Sequence, residues 1–261
     1  MLKVKSLVKK FGEGKEVLRG ISFSINPGEV VGFLGPNGAG KTTTISIISG
    51  ALEPTSGSVI VGGRDIVSET MECKKIISVV PENQWLWERL SAVEYLSFIG
   101  SIRRMSPEEI RERAYFLLGK FSLLKEADRL IESFSYGMKQ KLLWCAALLK
   151  IPRLLLLDEP FTGLDPQALA VARSFIYEIT KAGDKGYQTA VLVSTHNLSM
   201  AEKICSRIIV INKGEILADE KTESLREKFL NSAAVRRNQE DALPSSALES
   251  AFFGIINESD V

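Results

Sequence analysis

Gly35-Pro36-Asn37-Gly38-Ala39-Gly40-Lys41-Thr42-Thr43 is the most informative stretch of this 261-residue chain. It matches the pattern G-x-x-x-x-G-K-[ST], and it lies between an apolar run at 30–34 and a helix-like segment that begins at Thr44 and that Gly50 can end. Glycines let the backbone fold closely around phosphates with its N–H groups pointing inward, and the following helix presents its positive end. The stretch therefore predicts a nucleotide-phosphate site rather than a plain glycine-rich turn.

Two side chains of this stretch carry specific expectations. Lys41 is expected to reach the β- and γ-phosphates, and the hydroxyl of Thr42 is expected to ligate Mg²⁺. The rest of the phosphate cradle is expected to come from the loop as a whole, which comprises Gly35, Pro36, Asn37, Gly38, Ala39, Gly40, Lys41, Thr42 and Thr43.

A second pattern consists of four leucines, 154–157, followed by Asp158 and Glu159. The continuous apolar run is typical of a strand buried on both faces of a parallel sheet. An acid at the carboxyl end of such a strand can hold Mg²⁺, and the next acid can orient or deprotonate an attacking water. Alone, the run fits a strand that enters a turn equally well. Together with Lys41 and Thr42, it predicts hydrolysis of a nucleoside triphosphate.

The single histidine, His196, follows another apolar run at 189–194. A lone histidine is usually a surface residue or a satisfied core residue. The carboxyl ends of strands in an open α/β sheet are, however, where ligand groups gather. We therefore expect His196 to contact the γ-phosphate.

Composition sets the broad limits. The chain is 45% hydrophobic and 25% charged, and its formal net charge of +1 gives no broad electrostatic footprint for nucleic acid. Cys73, Cys145 and Cys205 are far apart, which argues against a zinc cluster or a disulfide framework and for reduced, structural thiols in a cytoplasmic setting. The first residues are too polar for a signal peptide, and charges and a proline interrupt the longest apolar stretches. Work at a membrane would need another chain to cross it.

Local patterns predict short antiparallel strands over 1–30 and helices from Trp85 to about Leu149. Two capping boxes, Ser91 with Glu94 and Ser106 with Glu109, should begin two of these helices. A helix is expected over about 167–181, stopped at Gly183, with a hairpin around Asn212-Lys213-Gly214-Glu215 and a loose segment at 232–246.

Aromatic residues leave two alternatives open. Residue type alone favours a core position for Phe11 over an exposed ring that stacks on a base. A group at the start of the helical region is most simply core, with a docking surface as the alternative: Trp85, Trp87, Tyr95 and Phe98. A last apolar group is expected to dock against the rest of the protein: Leu248, Phe252, Phe253 and Ile255.

With these motifs in this order and spacing, residues 1 to about 230 resemble the ATP-binding subunit of an ABC transporter. The resemblance implies an α/β fold with a P-loop NTPase (RecA-like) core, an antiparallel β-subdomain and an inserted helical subdomain. It assigns 1–84 and 150–230 to the ATP-binding core with its β-subdomain, 85–149 to the helical insert, and 231–261 to a C-terminal tail.

The resemblance also implies a dimer. The family's signature loop, LSGGQ, corresponds here to Phe134-Ser135-Tyr136-Gly137-Met138, in which only Ser135 and Gly137 match. In the family this loop begins a helix and binds the γ-phosphate held by the opposite subunit, so two ATP molecules lie between two chains. Ser135 and Gly137 are accordingly implied to bind nucleotide, and Gly163–Pro166 corresponds to a dimer-contacting loop.

Two further residues gain roles from the resemblance. Phe11 falls where the family places its adenine-stacking aromatic, which reverses the expectation from residue type. Glu82 stands where the family usually has glutamine, and it is implied to join Thr42 and Asp158 around Mg²⁺ or the attacking water. An acid at this place and the SYGM-type signature are more similar to exporter-associated subunits than to nutrient importers.

The resulting prediction is an ATPase that uses ATP and Mg²⁺, with Glu159 as general base or water-orienting residue and with Lys41 and His196 stabilising charge on the γ-phosphate. Its implied partners are a membrane permease and a second ATP-binding subunit, identical or different, with no nucleic acid. Its implied location is peripheral, on the cytoplasmic face of the membrane.

Two alternatives belong to other classes. One is a soluble ABC-type ATPase acting on nucleic acid or the ribosome. DNA-repair and condensin-like members have a long coiled coil between the phosphate loop and the signature. Here Lys41 and Ser135 are only 94 residues apart, without sustained heptads. Translation-factor relatives usually carry two cassettes, whereas this sequence shows one. The other alternative is a non-catalytic binding module, and the presence of both Glu159 and His196 argues against it.

Overall fold

This computed structural model describes residues 1–12, 14–181, 186–227 and 255. Two β-sheets and seven α-helices, followed by helical residues at 222–227, organise this part of the chain. The strands are β1 (Leu2–Phe11), β2 (Lys15–Ile25), β3 (Val30–Leu34), β4 (Ser56–Val61), β5 (Arg64–Asp65), β6 (Ile77–Val80), β7 (Leu154–Asp158), β8 (Ala190–Thr195), β9 (Arg207–Asn212) and β10 (Glu215–Lys221). The helices are α1 (Lys41–Ile48), α2 (Thr70–Lys74), α3 (Ala92–Ile102), α4 (Pro107–Lys120), α5 (Tyr136–Leu148), α6 (Pro166–Lys181) and α7 (Leu198–Ile204).

The larger sheet has six strands in the order β10-β9-β3-β8-β7-β6, and all neighbouring pairs are parallel except the antiparallel edge pair β9–β10. Every residue of β3, β7 and β8 is buried, because other layers cover both faces of this sheet. Successive side chains alternate between two cores: Leu154 and Leu156 face one, whereas Leu155 and Leu157 face the other. The apolar runs read from the sequence therefore form the predicted parallel sheet.

The smaller sheet is antiparallel, with the strand order β2-β1-β4-β5. Its inward residues, such as Leu2 and Phe23, share a core with α1 and one face of the larger sheet. The alternating pattern of 21–25 produces this half-buried strand, as predicted. The P-loop core with an added antiparallel sheet is thus confirmed.

Helices α3, α4 and α5 pack against each other and against the second face of the larger sheet. Both predicted capping boxes are present: the hydroxyls of Ser91 and Ser106 accept from the N–H groups of Glu94 and Glu109, whose carboxylates accept in return. A buried core of aromatic and aliphatic side chains, centred on Trp144 and Phe121, joins these helices to α6.

Three of the four aromatic residues at the start of the helical region are not core residues. Trp85, Trp87 and Phe98 are exposed, and only Tyr95 is buried. The rings of Trp87 and Phe98 pack edge to face with their centroids 4.3 Å apart. The core interpretation is wrong for these three. Helix α3 buries Ala92, Tyr95 and Leu96 on its inner side and leaves the Phe98 ring exposed, and the two tryptophans lie in the segment that precedes this helix.

Phe11, the last residue of β1, is also exposed, which corrects the expectation from residue type. The ammonium group of Lys9 lies 5.0 Å from its ring centroid. The ring is free to present a face at the surface because it lies at the end of the strand, beyond the covered part of the sheet. A stacking role stays a prediction from the resemblance.

The remaining predictions from the sequence concern a hairpin, the three cysteines and the C-terminal region. The hairpin between β9 and β10 forms, but its turn is only Lys213-Gly214, both with positive φ, so Glu215 already belongs to the strand. Cys73, Cys145 and Cys205 are free and buried. Gly183, the loose segment at 232–246 and the apolar Leu248, Phe252 and Phe253 lie outside the described residues, whereas Ile255 packs against the core of α3 to α6.

No helix in the described ranges is long and apolar enough to cross a membrane.

Candidate functional site

The phosphate loop connects β3 to α1 at the carboxyl edge of the larger sheet. Gly40 precedes α1 with a φ of 110°, and Gly38 has a φ of 81°, a region that side chains rarely adopt. A Cβ atom on Gly35 would lie 2.2 Å from the carbonyl oxygen of Ile211. These positions require glycine, and the loop brings its backbone N–H groups to the start of α1.

Lys41 is held inside this loop. Its Nζ donates to the carbonyl oxygens of Gly35 at 2.7 Å and Pro36 at 3.1 Å, and the side chain is largely buried. Burial lowers the pKa of Lys41, and the carboxylates of Glu159, Asp158 and Glu82 act in the opposite direction. Lys41 is therefore a cation on the loop within electrostatic reach of all three acids.

Asp158, the last residue of β7, is the buried acid of the site, with an exposed fraction of 3%. Burial raises its pKa, the hydroxyls of Thr42 and Ser194 lower it, and Glu82 and Glu159 raise it further. Within the described residues, Oδ1 of Asp158 has no hydrogen-bond partner. A buried carboxylate oxygen without a donor, next to the Thr42 hydroxyl, is suited to an oxygen-preferring cation such as Mg²⁺.

Glu159 follows β7 with a φ of 45°, an uncommon backbone conformation for a side-chain-bearing residue. Its Oε1 lies 2.8 Å from Nδ1 of His196 and accepts from the His196 backbone N–H at 2.9 Å. Its Oε2 accepts from the Thr195 hydroxyl at 3.1 Å. The end of β8 thus orients the Glu159 carboxylate, and Glu159 and His196, which the sequence predicted as separate site residues, are in direct contact.

Glu82 lies in the loop after β6 and lines a cavity of about 630 Å³ together with Thr42 and Asp158. The three residues predicted to surround Mg²⁺ therefore face one cavity. In the described ranges no three histidine, cysteine or acidic side chains cluster as a metal site. The candidate set is a mixed one of two carboxylates and a hydroxyl, which fits Mg²⁺ because this ion commonly keeps waters and binds few protein carboxylates.

The signature turn lies at the start of α5. Ser135 is the exposed N-cap, and its Oγ accepts from the N–H of Met138 at 3.3 Å. A Cβ on Gly137 would lie 2.6 Å from the carbonyl oxygen of Gly163, and the ring of Tyr136 covers Gly163. Ser135 and Gly137 therefore belong to a turn that packs against the 163–166 loop.

An ion pair reinforces this packing. Lys141, in the second turn of α5, pairs with Asp165, and this interaction lowers the pKa of Asp165. Asp165 also accepts from the N–H of Ala168 at 2.8 Å at the start of α6. The signature helix and the 163–166 loop are consequently joined by backbone contact, ring packing and charge.

Sequence reasoning missed Gln84, Gln140 and Trp144, which bond to each other or to the carbonyl of Pro160 beside Glu159. The available signal was weak. Gln140 lies between two lysines and looks solvated, yet it is 1% exposed. Its position three to four residues before the buried Leu143 and Trp144 was the only indication that it faces inward.

The chain is similar to known proteins. A family model described as ABC transporter matches residues 18–162. The linearmycin resistance ATP-binding protein LnrL of Bacillus subtilis is 40% identical over 218 residues, which cover 84% of this chain and 68% of that protein.

Solved structures agree. An ATP-binding subunit of an ABC transporter superposes with a TM-score of 0.85 at 30% identity, covering 98% of this chain and 99% of that one. The dimeric ATP-binding cassette MJ0796, in a post-hydrolysis state bound to ADP and Pi, superposes with a TM-score of 0.76 at 28% identity, covering 85% and 99%.

Proposed function

Because this chain belongs to the ATP-binding proteins of ABC transporters, we propose that it hydrolyses Mg-ATP at a dimer interface to drive export through a separate membrane permease. Members of this family are ATPases coupled to transport. What is proposed here is the use of Mg²⁺, the dimer interface, the residues that bind and hydrolyse ATP, and the direction of transport. The observation that carries it is the contact between Glu159 and His196, next to Asp158 and within reach of Lys41.

Charge on the γ-phosphate would be stabilised by this chain's own groups. Lys41 exchanges its two loop carbonyls for phosphate oxygens, and the backbone N–H groups before α1 donate to the same anion. His196 is mostly exposed on its ring, so it can reach a phosphate while its Nδ1 side contacts Glu159. Glu159 then orients or accepts a proton from the attacking water.

Asp158, the Thr42 hydroxyl and Glu82 are the residues proposed to hold Mg²⁺. Bound there, the ion would supply positive charge next to the β- and γ-phosphates. The unpartnered Oδ1 of Asp158 supports this assignment, since a buried carboxylate otherwise lacks compensation for its lost hydration.

A second subunit would complete the site. Ser135 and Gly137 lie at an exposed helix N-terminus that contacts the 163–166 loop, and a hydroxyl with helix N–H groups suits an anion presented from outside the chain. The dimeric state of the similar cassette MJ0796 supports this arrangement. Phe11, exposed at the end of β1, is proposed to stack on the adenine.

The permease is proposed to dock on the aromatic surface formed by Trp85, Trp87 and Phe98. Exposed tryptophans next to a cavity are typical of interaction surfaces. Trp85 and Glu82 line the same cavity, so a bound permease would be adjacent to the proposed Mg²⁺ ligands. This docking would keep the chain at the cytoplasmic face of the membrane.

Export is the direction favoured by the name of LnrL, a resistance protein in its own organism. The acidic Glu82 and the SYGM signature point the same way by resemblance.

The test uses the purified full chain and its Glu159→Gln variant. The wild-type chain should hydrolyse Mg-ATP, and the variant should lose about 10²-fold or more in kcat while forming ATP-dependent dimers on size exclusion. Absence of hydrolysis by the wild-type chain, alone and with the membrane protein that copurifies with it, would contradict the proposal. Inverted vesicles that carry this complex test the direction of transport. ATP-dependent uptake of the transported substrate into them would indicate export.

No observation on the described residues favours the alternative, an action on nucleic acid or the ribosome. The longest helix in the described ranges is the 16-residue α6, so the part between phosphate loop and signature contains no coiled-coil arm.

A further inference from the structure

A buried glutamine, Gln140, connects three segments of the candidate site. Its Nε2 donates to the carbonyl oxygen of Pro160 at 3.0 Å, and its Oε1 accepts from Nε2 of Gln84 at 2.9 Å. Gln84 lies two residues after Glu82, and Pro160 directly follows Glu159. One side chain on the signature helix therefore bridges the loop of Glu82 and the backbone beside Glu159.

The hydrogen-bond directions in this bridge are determined by chemistry. The carbonyl of Pro160 can only accept, so Gln140 must present its amide nitrogen there and its oxygen to Gln84. Gln84 must then present its own amide nitrogen, whose second hydrogen reaches the carbonyl oxygen of Tyr136 at 3.0 Å. Exchanging oxygen and nitrogen in either amide would place like groups together. The bridge is thus specific for two glutamines in this orientation.

A second donor reaches the same carbonyl. Nε1 of Trp144, one helical turn after Gln140, donates to the oxygen of Pro160 at 2.9 Å. Trp144 contacts only the Pro160 end of the bridge by hydrogen bonding, whereas Gln140 contacts both ends. Loss of the Trp144 bond would therefore weaken only the anchoring of the Pro160 turn, whereas loss of the Gln140 side chain would also break the connection to the Gln84 loop.

The far end of the bridge matters because Glu159 has an unusual backbone. Its φ of 45° persists only where the surroundings hold it, and the Pro160 carbonyl, to which Gln140 and Trp144 donate, lies one residue beyond Glu159. The following turn is closed by bonds from Thr162 N to Glu159 O at 3.4 Å and from Leu164 N to Phe161 O at 3.2 Å. A displacement of the Pro160 carbonyl would therefore shift the Glu159 carboxylate and the 163–166 loop.

We propose that Gln140 is a positioning residue that transmits displacement of the Gln84 loop to Glu159. The proposal rests on the proposed function, in which a permease docks beside Glu82 and Trp85. In this arrangement, docking shifts Gln84, and Gln84 shifts Gln140 and, through Tyr136, the signature turn. Gln140 in turn shifts the Pro160–Phe161 peptide, one residue beyond Glu159. The phosphate loop with Lys41 is not part of this chain of contacts, so the ATP contacts proposed for it should be retained.

A double-mutant cycle tests the bridge. Gln84→Met and Gln140→Met keep side-chain length and remove the amide. Each should lower kcat by about tenfold with a KM for ATP within about twofold, and the double variant should match the single ones, because all three break the same connection. Multiplying effects in the double variant would overturn the proposal.

Two control variants keep the interpretation specific. Trp144→Phe removes the other donor to Pro160 but leaves the glutamine pair, so kcat should change less than about threefold. Gln188→Met removes a glutamine that donates to the carbonyl of Lys181 at 3.1 Å, far from these segments along the chain, and should leave kcat unchanged. If Trp144→Phe is as damaging as Gln140→Met, Gln140 is a structural anchor only, and the proposal fails.

Hydrogen exchange on the full chain supplies a readout that needs no ATPase activity. Gln84→Met does not touch the 159–164 turn, yet it should speed exchange of the Thr162 and Leu164 amides by about threefold or more. Unchanged exchange at both amides would refute the bridge even if the chain is an active ATPase. Conversely, if the wild-type chain is inactive but Gln84→Met still speeds exchange of these amides, the bridge is supported and the proposed function is contradicted.

Discussion

Asp158 and Glu159 are adjacent acids in opposite environments. Asp158 is buried with one oxygen lacking a donor, and burial raises its pKa. The Glu159 carboxylate instead receives hydrogen bonds from the end of β8. Because the environment and not the residue type separates the two, these contacts support the roles proposed above, metal binding by Asp158 and water activation by Glu159.

The buried charge of Asp158 should make the wild-type chain less stable than an Asp158→Asn variant. A carboxyl whose pKa is higher in the folded state destabilises that state as the pH rises from the ordinary 3.8 through the raised pKa. The variant should gain about 1 kcal/mol in free energy of unfolding at pH 7, with a gain that shrinks toward pH 4, and should lose ATPase activity. Urea unfolding across this pH range measures it.

The contrast is Asp165→Asn. Its pKa is lowered by Lys141, so this substitution should reduce stability at pH 7. Equal and pH-independent effects of the two substitutions would contradict the assignment of charge environments.

Glu82 should influence the acid side of the pH profile. Its negative charge raises the pKa of Asp158, since protonation of Asp158 relieves repulsion. In Glu82→Gln the pKa of Asp158 should fall, so hydrolysis should persist to lower pH while nucleotide binding is retained. The measurement is kcat against pH, with the exposed Glu178→Gln on α6 as control. An unchanged profile in Glu82→Gln would show that Glu82 acts elsewhere.

At the scale of elements, the helices follow local chemistry closely. Both capping boxes form where serine precedes glutamate by three residues, because the side chains satisfy N–H groups that a helix start leaves free. Ser135 caps α5 with the same hydroxyl that the resemblance assigns to a partner's phosphate. One side chain is thus expected to serve stability and nucleotide contact together.

These two roles can be separated with Ser135→Ala. Losing the cap should cost about 1 kcal/mol of stability, and ATP-dependent dimerisation in a Glu159→Gln background should be lost because the phosphate contact disappears. Thermal unfolding and size exclusion with ATP measure the two effects.

Ser106→Ala is the matched control, since the Ser106 hydroxyl caps α4 in the same way at 3.2 Å. It should cost similar stability and leave dimerisation intact. Loss of dimers in both variants would mean that stability alone explains the effect.

At the scale of the whole molecule, the two sheets meet at the turn between β9 and β10. Gly214 accepts from the N–H of Arg19 on β2 at 2.9 Å and donates to the carbonyl of Ala39 in the phosphate loop at 3.1 Å. A single glycine therefore links the antiparallel sheet, the parallel sheet and the nucleotide loop.

Gly214→Ala should be strongly destabilising. Its φ is 82°, and an added Cβ would lie 2.4 Å from the carbonyl oxygen of Val17. We expect a loss of about 3 kcal/mol with a raised KM for ATP. Gly63→Ala, with a φ of 87° but no atom near its Cβ, should cost only about 1 kcal/mol and leave KM unchanged. Denaturant unfolding and ATPase kinetics measure both, and equal effects would contradict the role of this contact.

The patterns that a sequence displays locally were predictable. The phosphate loop, the buried strand that ends in Asp158 and both capping boxes depend on residues a few positions apart, so their spacing predicted the class of fold and most candidate ligands. The division into residues 1–84 with 150–230, 85–149 and a tail stays a prediction.

Only the tertiary structure decided which distant residues meet. The exposure of Trp85 and Phe11, the contact of Glu159 with His196 and the burial of Gln140 all depend on partners far along the chain, and residue type does not specify them. The stretch Gly35–Thr43 by itself determined that phosphates are the expected ligand, because backbone geometry and charge there are local. The connection of that site to its neighbouring loops came from packing, because hydrogen bonds between buried amides form only after the segments have been brought together.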